Sequence, residues 1–172
     1  MNKFKRLFRY DLPMHFVLMI TNWLPDNVIF IRLRGRMASP FFKECGKSLG
    51  LGRNISFYNP SNISIGSDVY IAFGNWFNAP EKIFIEDEVI FGPQSVITSS
   101  NHTKNEGSFR YGIPQLKPIY IQRGVWVSAN CTITAGSKIG SGSLIAANSV
   151  VRKIIPDNSL YGGVPGKVIK RI

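Results

Sequence analysis

Between Ile121 and Arg152 an aliphatic residue returns at every sixth position: Ile121, Val127, Ile133, Ile139, Ile145 and Val151. The next residue is Gln122, Ser128, Thr134, Gly140, Ala146 or Arg152, and the fourth after it is Val125, Cys131, Ser137, Ser143 or Ser149, so small residues recur at fixed phases as well. A helix would carry every sixth residue around its surface, and a paired strand alternates with a period of two and needs no second small phase. A chain with this pattern must turn after each short strand. It predicts an all-β parallel β-helix, in which each six-residue unit forms one flat side, the aliphatic residue points inward and the small residue sits at a corner.

The array also reads upstream. Ile65-Gly66, Ile71-Ala72 and Phe77-Asn78 are followed, after a slip of two residues, by Ile85-Glu86, Phe91-Gly92 and Ile97-Thr98. Three units make one coil of a triangular prism, and coils stacked about 4.8 Å apart bury one continuous core that no single unit could. Between Ile97 and Ile121 the phase is lost, since Thr103, Phe109 and Gln115 stand where aliphatic residues are expected. The reading is a loop extruded near 98–118, and long loops in compact repeats are usually functional. It carries His102, one of two histidines in the chain.

The chain has 172 residues and a formal charge of +11, with ten Lys/Arg against three Asp/Glu in residues 1–53. No recognition helix, zinc pattern or RNA-stacking signature accompanies this charge, so nucleic acid is not expected as a partner. The two cysteines, Cys45 and Cys131, make no disulfide framework, and Cys131 occupies a small-residue slot, which favours a buried structural thiol. Residues 1–24 are too interrupted by Pro13, His15, Asn22 and Pro25 to span a bilayer. Phe4, Leu7, Phe8 and Leu12 can share a helix face beside Lys3, Lys5, Arg6 and Arg9, which suits either the surface of an anionic membrane or packing on the prism or a second subunit. A second helix is expected in Val28–Phe42, with Phe30, Leu33, Met37 and Phe41 on one face and Arg32, Arg34 and Arg36 between them. Gly46, Gly50 and Gly52 are expected to end the helical region. The expected organisation is a basic, largely helical segment (1–53), a β-helix (54–156) with the loop 98–118, and a basic tail (157–172).

The hexapeptide array, its break at Asn101-His102, the stretch VWVSANCTITAGSKIGSGSLIAANSVV and the closing GGVPGKVIKRI together resemble the left-handed β-helix acyltransferases, in the branch of maltose, galactoside, nodulation and capsule O-acetyltransferases. The resemblance covers about residues 55–172. It implies a homotrimer of left-handed prisms, acetyl-CoA as acyl donor in a cleft between subunits, and direct transfer to a sugar hydroxyl in bacterial surface-polysaccharide biosynthesis, at the cytoplasmic side. His102 would be the general base, a task suited to imidazole, whose ordinary pKa lies close to neutral. Contacts to acetyl-CoA carry over to Ala129, Ala147, Arg152, Lys153, Lys167 and Lys170. On the acceptor side Tyr70 matches an acceptor-site tyrosine, Asn75 stands nearest an expected asparagine, and Trp76 and Phe77 offer an apolar wall for a sugar ring. No metal is required, and a zinc site of three histidines has only His102 to draw on in the repeat. An N-acyltransferase of a nucleotide-linked amino sugar, a xenobiotic acetyltransferase and a non-catalytic scaffold remain open.

Overall fold

A computed structural model describes residues 2–172. Three sheets form the sides of a left-handed triangular prism. Side one holds Glu44–Cys45, Ile63–Ile65, Ile83–Ile85, Ile119–Ile121, Lys138–Ile139 and Ile154–Ile155. Side two holds Gly50–Leu51, Tyr70–Ile71, Ile90–Phe91, Trp126–Val127, Leu144–Ile145 and Ser159–Gly163, closed by Gly166–Arg171. Side three holds Ser56–Tyr58, Trp76–Asn78, Val96–Thr98, Thr132–Ile133 and Val150–Val151.

The six-residue period becomes three vertical columns. Cys45, Ile65, Ile85, Ile121, Ile139 and Ile155 stack on side one. Leu51, Ile71, Phe91, Val127, Ile145 and Tyr161 stack on side two. Phe57, Phe77, Ile97, Ile133 and Val151 stack on side three. Most of these side chains are fully buried, and β-branched residues suit a surface packed on one face and paired along both edges. Between sides one and two the chain turns at left-handed residues in successive coils, among them Asp68 (φ 56°), Glu88 (φ 61°), Gly124 (φ 66°) and Gly142 (φ 63°). The small polar phase also has a physical reason. Ser95 Oγ accepts from Cys131 N at 3.1 Å, and Ser159 N donates to Ser143 Oγ at 3.1 Å, so buried backbone groups at the corners are paired. Burial raises the Cys131 thiol above its ordinary pKa, in keeping with a structural role.

β-structure extends beyond the expected prism at both ends. The first coil begins at Glu44, so β-structure reaches ahead of residue 54. Gly46 and Gly52 are there because a side chain would strike the backbone of the next coil, at Gly66–Ser67 and Ala72–Phe73. The basic tail is a hairpin, Ser159–Gly163 against Gly166–Arg171, rather than free chain.

The helices cap the first coil. Lys3–Arg6 and Leu12–Thr21 are joined by a π-helical turn, Leu7–Asp11, just before Pro13, whose missing N–H a regular helix could not accommodate. The next helix, Val28–Ala38, buries Arg34, Gly35 and Ala38 and half-buries Phe30 and Met37, while Leu33 is exposed, so the inward face is rotated from the expected one to take in Arg34. Gly35 lies against the backbone of Leu49, where any side chain would collide, and this close approach draws Arg34 inward. Its guanidinium donates to Thr21 O and Leu24 O at 3.1 Å, to Leu51 O, and to Asp26 Oδ1 at 3.1 Å. One arginine thus ties both helices to the prism. Among the described residues no helix is long and apolar enough to cross a membrane.

Candidate active site

The pairing of Ile85 with Ile121 continues side one as if nothing lay between them. Ser99 is still buried and bonded to the coil below, with its N–H donating to Asn78 O at 3.0 Å, and residues 100–117 leave the prism at the corner between sides three and one. Its root is an antiparallel pair, Ser100 with Leu116 and Asn101 with Gln115. Further out Asn105 and Ser108 exchange backbone hydrogen bonds of 2.9 and 2.8 Å around a tip with Glu106 and Gly107 at positive φ. Midway, Thr103 Oγ1 donates to Ile113 O at 2.6 Å, and Gly112 packs on the Thr103 carbonyl so closely that no side chain would fit. His102 lies one residue beyond the root, with its side chain exposed.

Ala129 and Ala147 occupy the opposite corner, between sides two and three, in successive coils, and Asn148 N donates to Ala129 O at 3.0 Å. Among the described residues neither alanine's own N–H has an acceptor. This corner stays narrow because Gly92 sits beneath Ala129, where a side chain would meet its backbone. Arg152 and Lys153 follow Val151 at the next corner, and Lys153 Nζ lies 5.9 Å from the centre of the Tyr161 ring. Lys167 and Lys170 are on the closing strand, paired with Gly162 and Leu160. The four cations are exposed and gather at the far end of the prism from the helices.

The acceptor candidates do not come together, and Phe77 is buried in the inward column of side three. Asn75 is fully buried: its Nδ2 donates to Ala72 O (2.8 Å) and Gly92 O (3.0 Å), and its Oδ1 accepts from Ser95 N (3.1 Å). It secures a corner between coils and cannot touch an acceptor. Tyr70 belongs to side two and packs beside Gly50 beneath Ile31 of the second helix. Burial, and then the Asp26 carboxylate, raise its phenol above the ordinary pKa. Trp76 does face outward on side three, with Tyr58 tilted against it at 5.5 Å.

Two features escaped the sequence reading. Asn78 and Thr98 bracket the root of the loop on side three, with Asn78 Nδ2 donating to Thr98 Oγ1 at 3.3 Å. The signal was present as outward alternation, one residue after Phe77 and Ile97. The second is a cleft of about 710 Å³ between the first helix and the first coil, lined by Asp11, Met14, His15, Leu18, Asn22, Asn54 and Tyr58 among others. It places the second histidine in the same cleft as Tyr58, the partner of Trp76. Nothing local in the sequence announces it, because its two walls lie in separate segments. Among the described residues there is no cluster of His, Cys, Asp and Glu able to hold a metal ion.

Residues 118–153 match a family model described as bacterial transferase hexapeptide (six repeats). The chain is 31% identical to a galactoside O-acetyltransferase of Lactococcus lactis over 67% of its own length and 56% of the relative's. It is 32% identical to an Escherichia coli K12 protein assigned, on inference, as the lipopolysaccharide biosynthesis O-acetyl transferase WbbJ, over 70% and 62% of the two chains. In both cases the match spans less than two thirds of the relative. A galactoside acetyltransferase in complex with coenzyme A has a similar structure, with a TM-score of 0.85, 26% identity, and coverage of 100% of this chain and 84% of that one. A maltose O-acetyltransferase from Clostridium difficile 630 likewise gives a TM-score of 0.85 at 27% identity over 99% and 89%.

Proposed function

The chain belongs to the left-handed β-helix, hexapeptide-repeat acyltransferases, and from that membership we propose that it is an acetyl-CoA-dependent O-acetyltransferase acting on a sugar hydroxyl. The observation that carries the reading is the exposed His102, held one residue beyond the root of a hairpin, where an otherwise continuous coil register opens. An alcohol is a weak nucleophile until a base removes its proton, and general-base assistance is worth roughly 10²–10⁴-fold. His102 takes the hydroxyl proton as the acceptor oxygen bonds to the thioester carbonyl carbon. The tetrahedral adduct then collapses, the C–S bond breaks, and coenzyme A leaves as a thiol with the proton that the imidazolium returns. The thioester oxygen gains charge on the way and needs aligned donors, a role open to backbone N–H groups at the alanine corner of a neighbouring subunit.

The stack of Ala129 over Ala147 admits the pantetheine arm close to the backbone. Arg152, Lys153, Lys167 and Lys170 supply positive charge for the coenzyme's phosphates. Trp76 and Tyr58 form the wall for the sugar, and the cleft behind them extends the acceptor site towards the first helix. Phe109, Tyr111 and Ile113, exposed on the loop, would be covered by a neighbouring copy, which fits a homotrimer with shared sites. The reading places the enzyme in bacterial surface-polysaccharide assembly, on the cytoplasmic side of the membrane.

The test mixes protein, acetyl-CoA and a panel of sugars, nucleotide sugars and glycolipids, following thiol release and product mass. His102→Ala is expected to lower kcat by roughly 10²–10⁴-fold with little change in the KM for acetyl-CoA. No acetylated product from any acceptor, or full turnover by His102→Ala, would overturn the proposal.

A further inference from the structure

The helix Leu12–Thr21 and the residues just after it turn three faces in three directions. Met14 and Thr21 are buried. Asp11, His15, Leu18 and Asn22 line the cleft. Phe16, Ile20 and Trp23 stand in solvent, Trp23 with 78% of its surface exposed. Met19 belongs to two of these faces, since it lines the cleft and is itself half exposed. The lip of the cleft therefore runs without a break into an apolar track, which Val28 and Ile29 extend at 77% and 74% exposure. A free sugar has no use for such a track, which offers it no polar partner.

The charge around the track is one-sided. Lys3, Lys5 and Arg9 are exposed on the helical turns before Leu12–Thr21, and Arg32 and Arg36 on the helix after it. The two acids nearby are already paired, Asp11 with Arg6 at 3.3 Å and Asp26 with Arg34 and Arg53 at 3.1 and 3.6 Å. Apolar side chains amid unpaired cations are what an anionic lipid surface selects. Resting on the reading of the cleft as the acceptor's place, we infer that the acceptor is a sugar carried on an apolar anchor, drawn from an anionic bilayer on which the track of Phe16, Ile20 and Trp23 rests. The sugar enters the cleft past Met19, and the anchor stays along the track. Soluble oligosaccharides of the same sugar reach the same wall without that hold.

Matched methyl and dodecyl glycosides of each sugar in a panel, below the micellar concentration of the dodecyl compounds, separate the two claims. For a sugar that is acetylated, the dodecyl compound is expected to have a KM about tenfold or more below that of its methyl counterpart, through the burial of a few methylenes. In Phe16→Ser/Ile20→Ser/Trp23→Ser the ratio of the two falls towards one. Wild-type protein is expected to float with vesicles of phosphatidylglycerol and phosphatidylcholine at low salt, and the triple variant to stay behind. Equal KM values for an acetylated pair overturn the inference and leave the acetyltransferase reading standing. Turnover of neither set counts against that reading, and the inference then stands or falls on flotation alone. A triple variant that sediments as a smaller species than wild type also overturns the inference, because the track would then be a contact between protomers.

Discussion

Replacing Arg34 by methionine is expected to loosen the helical cap while leaving the loop of His102 in place. The guanidinium is 1% exposed and serves four acceptors: the carbonyls of Thr21, Leu24 and Leu51 and the Asp26 carboxylate. Methionine fills much of the space and donates nothing. Leu51 is buried and its carbonyl is left unpaired, which costs about 1–3 kcal/mol, whereas Thr21 O keeps the N–H of Leu24 at 3.1 Å. Asp26 keeps Arg53 at 3.6 Å and partial access to water, so its share is smaller. The total comes to about 2–4 kcal/mol, most of it from the Leu51 carbonyl. Arg34→Lys should recover only part of this, because an ammonium cannot span acceptors that a planar fork reaches together. Amide exchange across Thr21–Ala38 and urea unfolding followed by far-UV circular dichroism give the readout, with the helices opening before the prism. Since the first helix forms one wall of the cleft, the KM for the acceptor should rise and that for acetyl-CoA should not. Arg34→Met within about 1 kcal/mol of wild type, with its helix amides equally protected, would refute the view that this side chain fastens the cap.

Asn75→Ala should destabilise the protein by about 3 kcal/mol, since two carbonyls and one N–H lose their partner; an undiminished thermal midpoint would contradict this. Gly112→Ala should lower kcat by up to about a hundredfold by pushing the two arms of the loop apart and displacing His102, with the KM for acetyl-CoA nearly unchanged, as read by steady-state kinetics. Burial pushes the Cys45 thiol up to about 11 from 9.0. The folded chain therefore keeps a proton that the unfolded chain has lost, and the stability this represents is whole below pH 9 and disappears as the pH rises through about 11. In a Cys131→Ser background at pH 8, iodoacetamide should label Cys45 about a hundredfold more slowly than a small open thiol, and labelling at the open-thiol rate would contradict the burial.

The prism was legible because its rule is local. One aliphatic phase and one small phase name the inward column and the corner, and Cys131, Ser137 and Ser149 are all buried where that rule puts them. The loop was legible as a failure of the same rule. Arg34 was not, because charge alternating with apolar residues reads as a solvated face, and only the contact of Gly35 with Leu49 turns that face inward. Asn75 was misread for a related reason: sequence position placed it near an expected acceptor contact, while its hydrogen bonds run to neighbouring coils. The cleft was invisible because Asp11, His15 and Tyr58 meet only after the helix folds back on the first coil.

The direct pairing of Ile85 with Ile121 makes the His102 hairpin a detour whose two ends are fixed by the coil register rather than by anything within it. Lengthening such a detour adds only slowly growing closure entropy, about 0.6 kcal/mol for each doubling. Insertions, deletions and wholesale sequence changes between Asn101 and Gln115 are thus nearly free for the scaffold. Natural variation can rework the reactive arm and its choice of substrate while the columns that keep the protein folded remain untouched.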